Sequence, residues 1–152
     1  MKNSLYTSFV IVPILIIFCF AQCKKEHNTL NITLYDKPLG TIQSYIQGKW
    51  QLHYGKGGIC GNCIQYYNNR FWTITTTNKI QISNNGNLTT DTTINWIKDV
   101  GTYTNGDSTF IMSFFDNLGY PANYVVDKII NDTLILHENA ADAVFYHFTK
   151  SN

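Results

Sequence analysis

The sequence predicts an all-β fold, an antiparallel meander of about eight to ten strands preceded by one short helix. Its composition favours strands, because Tyr, Phe, Thr and Ile are plentiful while Ala is scarce outside residues 140–143. Turn-forming Asn and Gly recur between the apolar runs. The connections are short, as at residues 105–107, so successive strands pair antiparallel. A sheet of this size either packs as a sandwich or closes into a small barrel, and closure removes its exposed edges.

The helix comes first among the elements. Pro38 suits a first helical turn, and apolar residues recur at three- and four-residue spacing from Leu39 to Ile46. Gly48 ends this helix, which is predicted within residues 37–47. An Asn-Gly pair at residues 85–86 predicts a hairpin turn of type I′. Strands are predicted at residues 49–54, 64–67, 70–77, 79–83, 88–96, 99–104, 109–115, 124–130, 133–138 and 143–150.

The first residues have the pattern of an export signal. Lys2 precedes an apolar run from Phe9 to Ala21, which as a helix spans about 20 Å and is too short for a hydrocarbon core of about 30 Å. Cys23 stands where the chain turns polar. The segment 20–23 resembles the lipobox of bacterial lipoproteins, which implies that the Cys23 thiol receives a diacylglyceryl group and becomes the first residue after cleavage. The alternatives are an ordinary secretory peptide, an uncleaved anchor, or modification at Cys19.

Cleavage before Cys23 divides the chain into a signal peptide (residues 1–22), a flexible tether (residues 23–36) and one domain (residues 37–152). It removes 22 of the 152 residues and leaves 130, enough for a single domain with its own core. The chain has 11 basic and 10 acidic side chains, and only Lys2 lies in the segment that is removed. The mature charge is therefore balanced, which excludes nucleic acid as a partner.

Cys60 and Cys63 remain after cleavage, and in an exported protein such a pair predicts a disulfide. A thioredoxin-like redox site has the same spacing, but it requires a helix after the cysteines, and here a strand is predicted. His53 together with the two cysteines supplies three potential zinc ligands without a fourth. We therefore predict a structural disulfide, no metal site and no cofactor.

A family resemblance rests on the segment Ile46-Gln47-Gly48-Lys49-Trp50-Gln51-Leu52, with a helix before it and a meander after it that ends at residues 145–148. This pattern resembles the lipocalin-like domains of small bacterial lipoproteins. The resemblance implies a small barrel in which Trp50 closes one end. In the family pattern this tryptophan stacks under an arginine from the last strand, where this chain departs from the pattern and has only Lys150. A plain core position for Trp50 is the alternative.

Aromatic residues are the main candidates for contacts with a ligand. Ligand pockets are mostly apolar with a few placed polar groups, so aromatic side chains that line a barrel interior are candidate ligand contacts. The alternative is that they fill the interior. The candidates are Tyr54, Tyr66, Trp72, Trp96, Tyr103 and Tyr124.

The sequence predicts a non-enzymatic lipoprotein of the bacterial cell envelope, anchored at the outer membrane through lipid on Cys23. Its barrel would bind a small apolar ligand or an envelope protein. The four histidines are scattered, and their order suggests no Ser/His/Asp arrangement, so no catalytic residue is predicted. Two other hypotheses remain open: a periplasmic thiol-disulfide protein that acts through Cys60 and Cys63, and an inhibitor or immunity-type lipoprotein.

Overall fold

The structure is a computed structural model, and it describes residues 29–151. The signal peptide, Cys19 and Cys23 lie outside the described residues. One helix and ten strands form the domain, which confirms the predicted all-β class. Their bounds are β1 (Ile32–Thr33), α1 (Leu39–Ile46), β2 (Gly48–Gly57), β3 (Ile64–Ile74), β4 (Lys79–Asn84), β5 (Asn87–Thr93), β6 (Asn95–Val100), β7 (Ser108–Phe115), β8 (Pro121–Ile130), β9 (Thr133–Glu138) and β10 (Val144–Ser151).

The strands form one strongly curled half-barrel, in which β2 to β5 and β6 to β10 each pair in the order of the chain. The order across the sheet is β5-β4-β3-β2-β10-β9-β8-β7-β6, and the short β1 pairs with β8 outside this path. Every pairing is antiparallel. Because β2 pairs with β10, the first and last strands of the meander lie side by side at the middle of the sheet.

The two edges of the sheet, β5 and β6, are consecutive in the chain and joined by a single residue, Ile94. Ile94 is buried, and its N–H donates a hydrogen bond of 2.7 Å to the carbonyl of Asn78. A one-residue link forces the two edges together at this point, which is why the sheet curls so strongly. Away from Ile94 the edges are not paired with each other, so the half-barrel has an open seam between β5 and the strands that follow.

The concave face of the sheet holds the apolar core. Trp72 lies near its centre, with ring centroids 5.0 Å from Phe148 and 5.2 Å from Tyr124. Helix α1 covers one end of this core with Ile42 and Ile46, both fully buried. Burial of these side chains, at about 25 cal/mol per Å² of apolar surface, is the main source of stability.

One predicted strand is wrong. The sequence predicts a strand at residues 99–104, but β6 ends at Val100 and residues 101–107 form a loop. A Cβ atom on Gly101 would lie 2.7 Å from the Thr109 side chain, so the chain turns at a residue that only glycine can occupy. Tyr103 and Asn105 then adopt left-handed backbone angles, with φ of 59° and 55°, which end a strand.

The folded domain begins earlier than Lys37. Thr33 of β1 pairs with Lys128 of β8, and Leu34 is fully buried in the core. The Leu30 N–H also donates a hydrogen bond of 2.8 Å to the Asp132 carboxylate. Residues 30–36, which the sequence assigns to the tether, are therefore part of the domain.

Candidate functional site

A cavity of about 500 Å³ opens at the seam of the half-barrel. Strand β5 forms one wall of the cavity and strands β7 and β8 form the other, while β3 and β4 form its floor. The loop between β7 and β8 lies at its mouth. The lining residues are Arg70, Trp72, Ile82, Asn84, Thr89, Thr90, Phe114, Asp116, Asn117, Leu118, Ala122 and Tyr124.

The alternation of strand β3 places Arg70 and Trp72 on the concave face. Side chains two residues apart in a strand lie on the same face. Trp72 pairs in register with Trp50 of β2, and Arg70 pairs with Leu52 two residues further along. Since Trp50 and Leu52 are core residues, Arg70 also lies on the core side of the sheet. The chain's single arginine is thus directed towards the interior of the half-barrel.

Two hydrogen-bond donors at this site lack acceptors. Within residues 29–151, neither the Arg70 Nε nor the Trp72 Nε1 has a hydrogen-bond partner, although both atoms are buried. The Arg70 guanidinium lies over the Tyr67 ring, 5.2 Å from its centroid. A buried donor without an acceptor costs about 1 to 3 kcal/mol. Both residues that carry these unsatisfied donors belong to the cavity lining.

Two tyrosines and a carboxylate form a contiguous group beside Trp72, in which the Tyr124 ring centroid lies 5.2 Å from that of Trp72 and 5.8 Å from that of Tyr146. The Tyr146 hydroxyl donates a hydrogen bond of 2.7 Å to Glu138 Oε1, and the backbone N–H of Val144 donates to the other carboxylate oxygen at 3.3 Å. Burial and the Glu138 carboxylate both raise the pKa of Tyr146. Burial, with a smaller effect of Glu138, raises the pKa of Tyr124 from 10.0 to about 12. The Tyr124 hydroxyl therefore keeps its proton at neutral pH.

The raised pKa of Tyr124 predicts a loss of stability in alkali. Above pH 10 the unfolded chain releases this proton while the folded protein retains it, so the stabilisation present below pH 10 is lost as the pH rises towards 12. By pH 12 this difference in proton release at Tyr124 lowers the free energy of unfolding by about 2 kcal/mol. Urea unfolding between pH 9 and 12 measures it: Tyr124→Phe should lose less stability than the wild type. Tyr120→Phe, which removes an exposed tyrosine hydroxyl, is the matched control, and equal slopes for Tyr124→Phe and wild type would refute the assignment.

Trp50 joins helix α1 to the sheet. Its Nε1–H donates a buried hydrogen bond of 2.7 Å to the carbonyl of Ile46, the last residue of the helix. The Lys150 ammonium of β10 lies 5.5 Å from the centre of the Trp50 ring. Gly48 makes room for this contact, because a Cβ atom there would lie 3.2 Å from Lys150 Cε. Trp50 thus occupies a core position and also carries a cation–π contact.

The six aromatic candidates fall into two groups. Trp72, Trp96 and Tyr124 contact the core, and the Trp96 Nε1–H donates a hydrogen bond of 3.3 Å to Asn78 Oδ1. The other three lie outside the core cluster: Tyr54 stacks on His147 at 4.2 Å, Tyr66 is 74% exposed, and the Tyr103 hydroxyl donates to the Ala141 carbonyl at 2.6 Å. The cavity thus brings together two of the six, Trp72 and Tyr124. It adds Arg70, which the sequence analysis did not select as a ligand contact.

Cys60 and Cys63 lie in an exposed loop between β2 and β3, and their sulfur atoms are 2.03 Å apart, the length of a disulfide bond. Strand β3 begins at Ile64, directly after this pair. The helix that would lower the pKa of a redox-active thiol does not follow. The pair therefore fits a loop constraint better than a redox centre.

Removal of the disulfide should have a modest effect. Closing a loop of four residues stabilises the folded state by about 2 kcal/mol in the chain-entropy model. The double variant Cys60→Ser, Cys63→Ser should lower the free energy of unfolding by no more than this, as measured by urea denaturation. A loss of several times that size would show that the loop is coupled to the core.

No helix among residues 29–151 is both long and apolar enough to cross a membrane. In the same residues, no three His, Cys, Asp or Glu side chains converge as metal ligands, and the His53 ring nitrogen Nε2 instead pairs with Thr149 Oγ1 at 2.7 Å.

No protein-family model matches the chain, and comparisons with curated proteins and with solved structures give no match.

Proposed function

We propose that this protein is a lipid-anchored lipoprotein of the bacterial cell envelope whose half-barrel binds a small, largely apolar ligand without changing it chemically. The observation that supports the binding function most strongly is the cavity at the seam, in which two buried donors have no acceptor. Its volume of about 500 Å³ falls within the range of about 300 to 1,000 Å³ that is typical of small-molecule sites.

Binding fits the groups at the cavity better than catalysis does. A general base or nucleophile needs a pKa near the working pH. The Tyr124 hydroxyl has a pKa of about 12, so it acts as a hydrogen-bond donor at neutral pH. The Asp116 carboxylate, which also lines the cavity, accepts hydrogen bonds from the backbone N–H groups of Leu118 and Tyr120, which fix its position. These groups can orient a ligand, but none of them is activated as a nucleophile.

The proposed anchor restricts how the domain faces the membrane. Six residue steps separate Cys23 from Thr29, the first described residue. At about 3.6 Å per residue, Thr29 can lie no further than about 22 Å from an acylated Cys23. Because β1 pairs with Lys128 and Ile129 of β8, the tether joins the domain at this end of β8.

The cavity lies at the other end of β8. Ala122 and Tyr124 line it, and Ala122 is seven residues from Ile129, or about 23 Å along the strand. Its mouth, at Leu118, would therefore open away from the anchored end. In this orientation a ligand would enter from the aqueous compartment and not from the membrane that holds the protein.

The experiment that tests this function is mass spectrometry of the protein purified from its own membranes. The denatured protein should have the mass of residues 23–152 plus the acyl groups on Cys23. Under native conditions part of the population should carry one additional small molecule. A soluble protein with an unmodified Cys23 would refute the anchor, and a protein that never retains or accepts any small molecule would refute the binding function.

A further inference from the structure

The donors that line the cavity determine which kind of ligand they fit. Arg70 and Trp72 can only donate hydrogen bonds, and within residues 29–151 their buried Nε and Nε1 atoms have no acceptor. A ligand that presents only donors, or no polar atom, would leave both unsatisfied. A ligand with an acceptor-rich group would supply the acceptor that each donor lacks and remove the cost of leaving it unsatisfied.

The charges around the cavity favour a negative group at Arg70. Among the lining residues, Arg70 is the one cation and Asp116 the one anion. The Asp116 carboxylate already accepts hydrogen bonds of 2.9 Å from the backbone N–H groups of Leu118 and Tyr120, so it is held within its own loop. Glu138 is likewise bonded to Tyr146. In the described part of the chain, no ion pair joins Arg70 to either carboxylate.

The rest of the cavity lining combines apolar and polar side chains. Its apolar members include Trp72, Ile82, Phe114 and Leu118, and its polar members are Asn84, Thr89, Thr90 and Asn117. Trp72, Ile82 and Phe114 are at most 4% exposed, whereas Leu118 is 81% exposed. A molecule with a hydrocarbon body would cover Leu118, which a small inorganic anion would leave exposed, and this apolar burial would stabilise the complex.

We propose that the ligand is an amphipathic anion whose acid group accepts hydrogen bonds from Arg70 and Trp72. Its hydrocarbon part lies against Phe114 and Leu118, and its acid group is a carboxylate or a phosphate monoester. A guanidinium can bind either group through two parallel hydrogen bonds. This assignment rests on the proposed binding function, because it specifies the ligand of the same cavity.

Binding of four probes that share one hydrocarbon chain tests the proposal. The protein is the full mature chain, residues 23–152, with Cys23→Ser so that no detergent competes for the probe. Decanoate, decyl phosphate, decanol and decyltrimethylammonium are titrated separately below their micelle concentrations, by calorimetry. Decanoate or decyl phosphate should bind with one-to-one stoichiometry and roughly tenfold to a hundredfold more tightly than decanol. The cation should bind most weakly.

Variants then assign the contacts. Arg70→Met should reduce the affinity for the acid to that for decanol, and Arg70→Lys should recover only part of it, because an ammonium lacks the paired geometry. Trp72→Phe keeps an aromatic ring and removes the indole donor, so it should weaken acid binding alone. Lys79→Met, which removes an exposed cation at the start of β4, is the matched control. Unliganded Arg70→Met should be at least as stable as wild type, because it loses a buried donor that has no partner.

The outcomes distinguish the proposed anionic ligand from the more general proposal that the cavity binds an apolar molecule. If decanol binds as tightly as the acids, or if Arg70→Met binds decanoate like the wild type, the anionic ligand is refuted and the apolar binding function stands. If no probe binds to protein that unfolds cooperatively, both are refuted. Whichever acid binds more tightly identifies the headgroup.

Discussion

Replacement of Trp50 by alanine is expected to lower the free energy of unfolding by about 3 to 5 kcal/mol, as for other large aromatic core residues. Trp50 is 3% exposed and lies where α1 meets the sheet. Its indole N–H holds the Ile46 carbonyl at the end of the helix, and its ring faces Lys150. The substitution therefore removes apolar contacts, a buried hydrogen bond and a cation–π contact together. Urea denaturation followed by circular dichroism measures the loss.

Two milder variants separate these contributions and keep the prediction testable if Trp50→Ala fails to fold. Trp50→Phe removes the hydrogen bond to Ile46 and should cost about 1 to 3 kcal/mol. Lys150→Met removes the charge over the ring and should cost about 0.5 to 1 kcal/mol. If Trp50→Phe is as stable as wild type, the bond to the helix does not fix this end of the half-barrel.

Replacement of Cys23 by alanine is expected to move the protein from the membrane fraction to the soluble fraction. The proposed anchor depends on acylation of one sulfur, and each buried methylene of its chains contributes about 0.8 kcal/mol of membrane affinity. Without the thiol no acyl chain can be attached. Cells grown with a clickable palmitate analogue, fractionated and probed for this protein, should show label and membrane association in the wild type and neither in Cys23→Ala.

Cys19→Ala is the matched control for this experiment. Cys19 lies inside the apolar run, four residues before Cys23. The control should retain both label and membrane association. Loss of label in Cys19→Ala, with retention in Cys23→Ala, would move the anchor to Cys19. A labelled and membrane-bound Cys23→Ala protein would contradict acylation of Cys23.

The sequence predicts the meander well because strand signals are local. Alternating apolar residues and the Asn85-Gly86 turn place most strands within a few residues of their observed bounds. The sequence does not predict the link at Ile94, because residues 88–96 have the pattern of one continuous strand. The predicted strand at residues 99–104 is wrong because Tyr103 and Asn105 adopt left-handed backbone angles, which the strand pattern does not reveal.

Less of the candidate site than of the meander could be predicted from the sequence. Strand periodicity places Trp72 on a buried face, but it does not show which side chain lies across the half-barrel from it. Arg70 lies two residues before Trp72 and therefore on the same face of its strand. An arginine on the apolar face of a strand is the feature of the sequence that could have indicated this site. Whether the Arg70 Nε finds an acceptor depends on the strands across the half-barrel, β7 and β8, which contribute Phe114 and Tyr124 to the cavity wall. Such long-range proximity is a property of the folded sheet.

The indole N–H signals of the three tryptophans test the central claim most directly, because each indole has a different partner. Trp50 donates to Ile46 at the closed end, Trp96 donates to Asn78, and the Trp72 Nε1 has no acceptor in residues 29–151. In nitrogen–proton correlation spectra of the Cys23→Ser mature chain, assigned with single Trp→Phe variants, saturating decanoate should shift the Trp72 signal strongly and leave the Trp50 signal in place. A Trp72 signal that stays fixed while decanoate binds, or a larger shift at Trp50, would contradict a ligand site at the open seam.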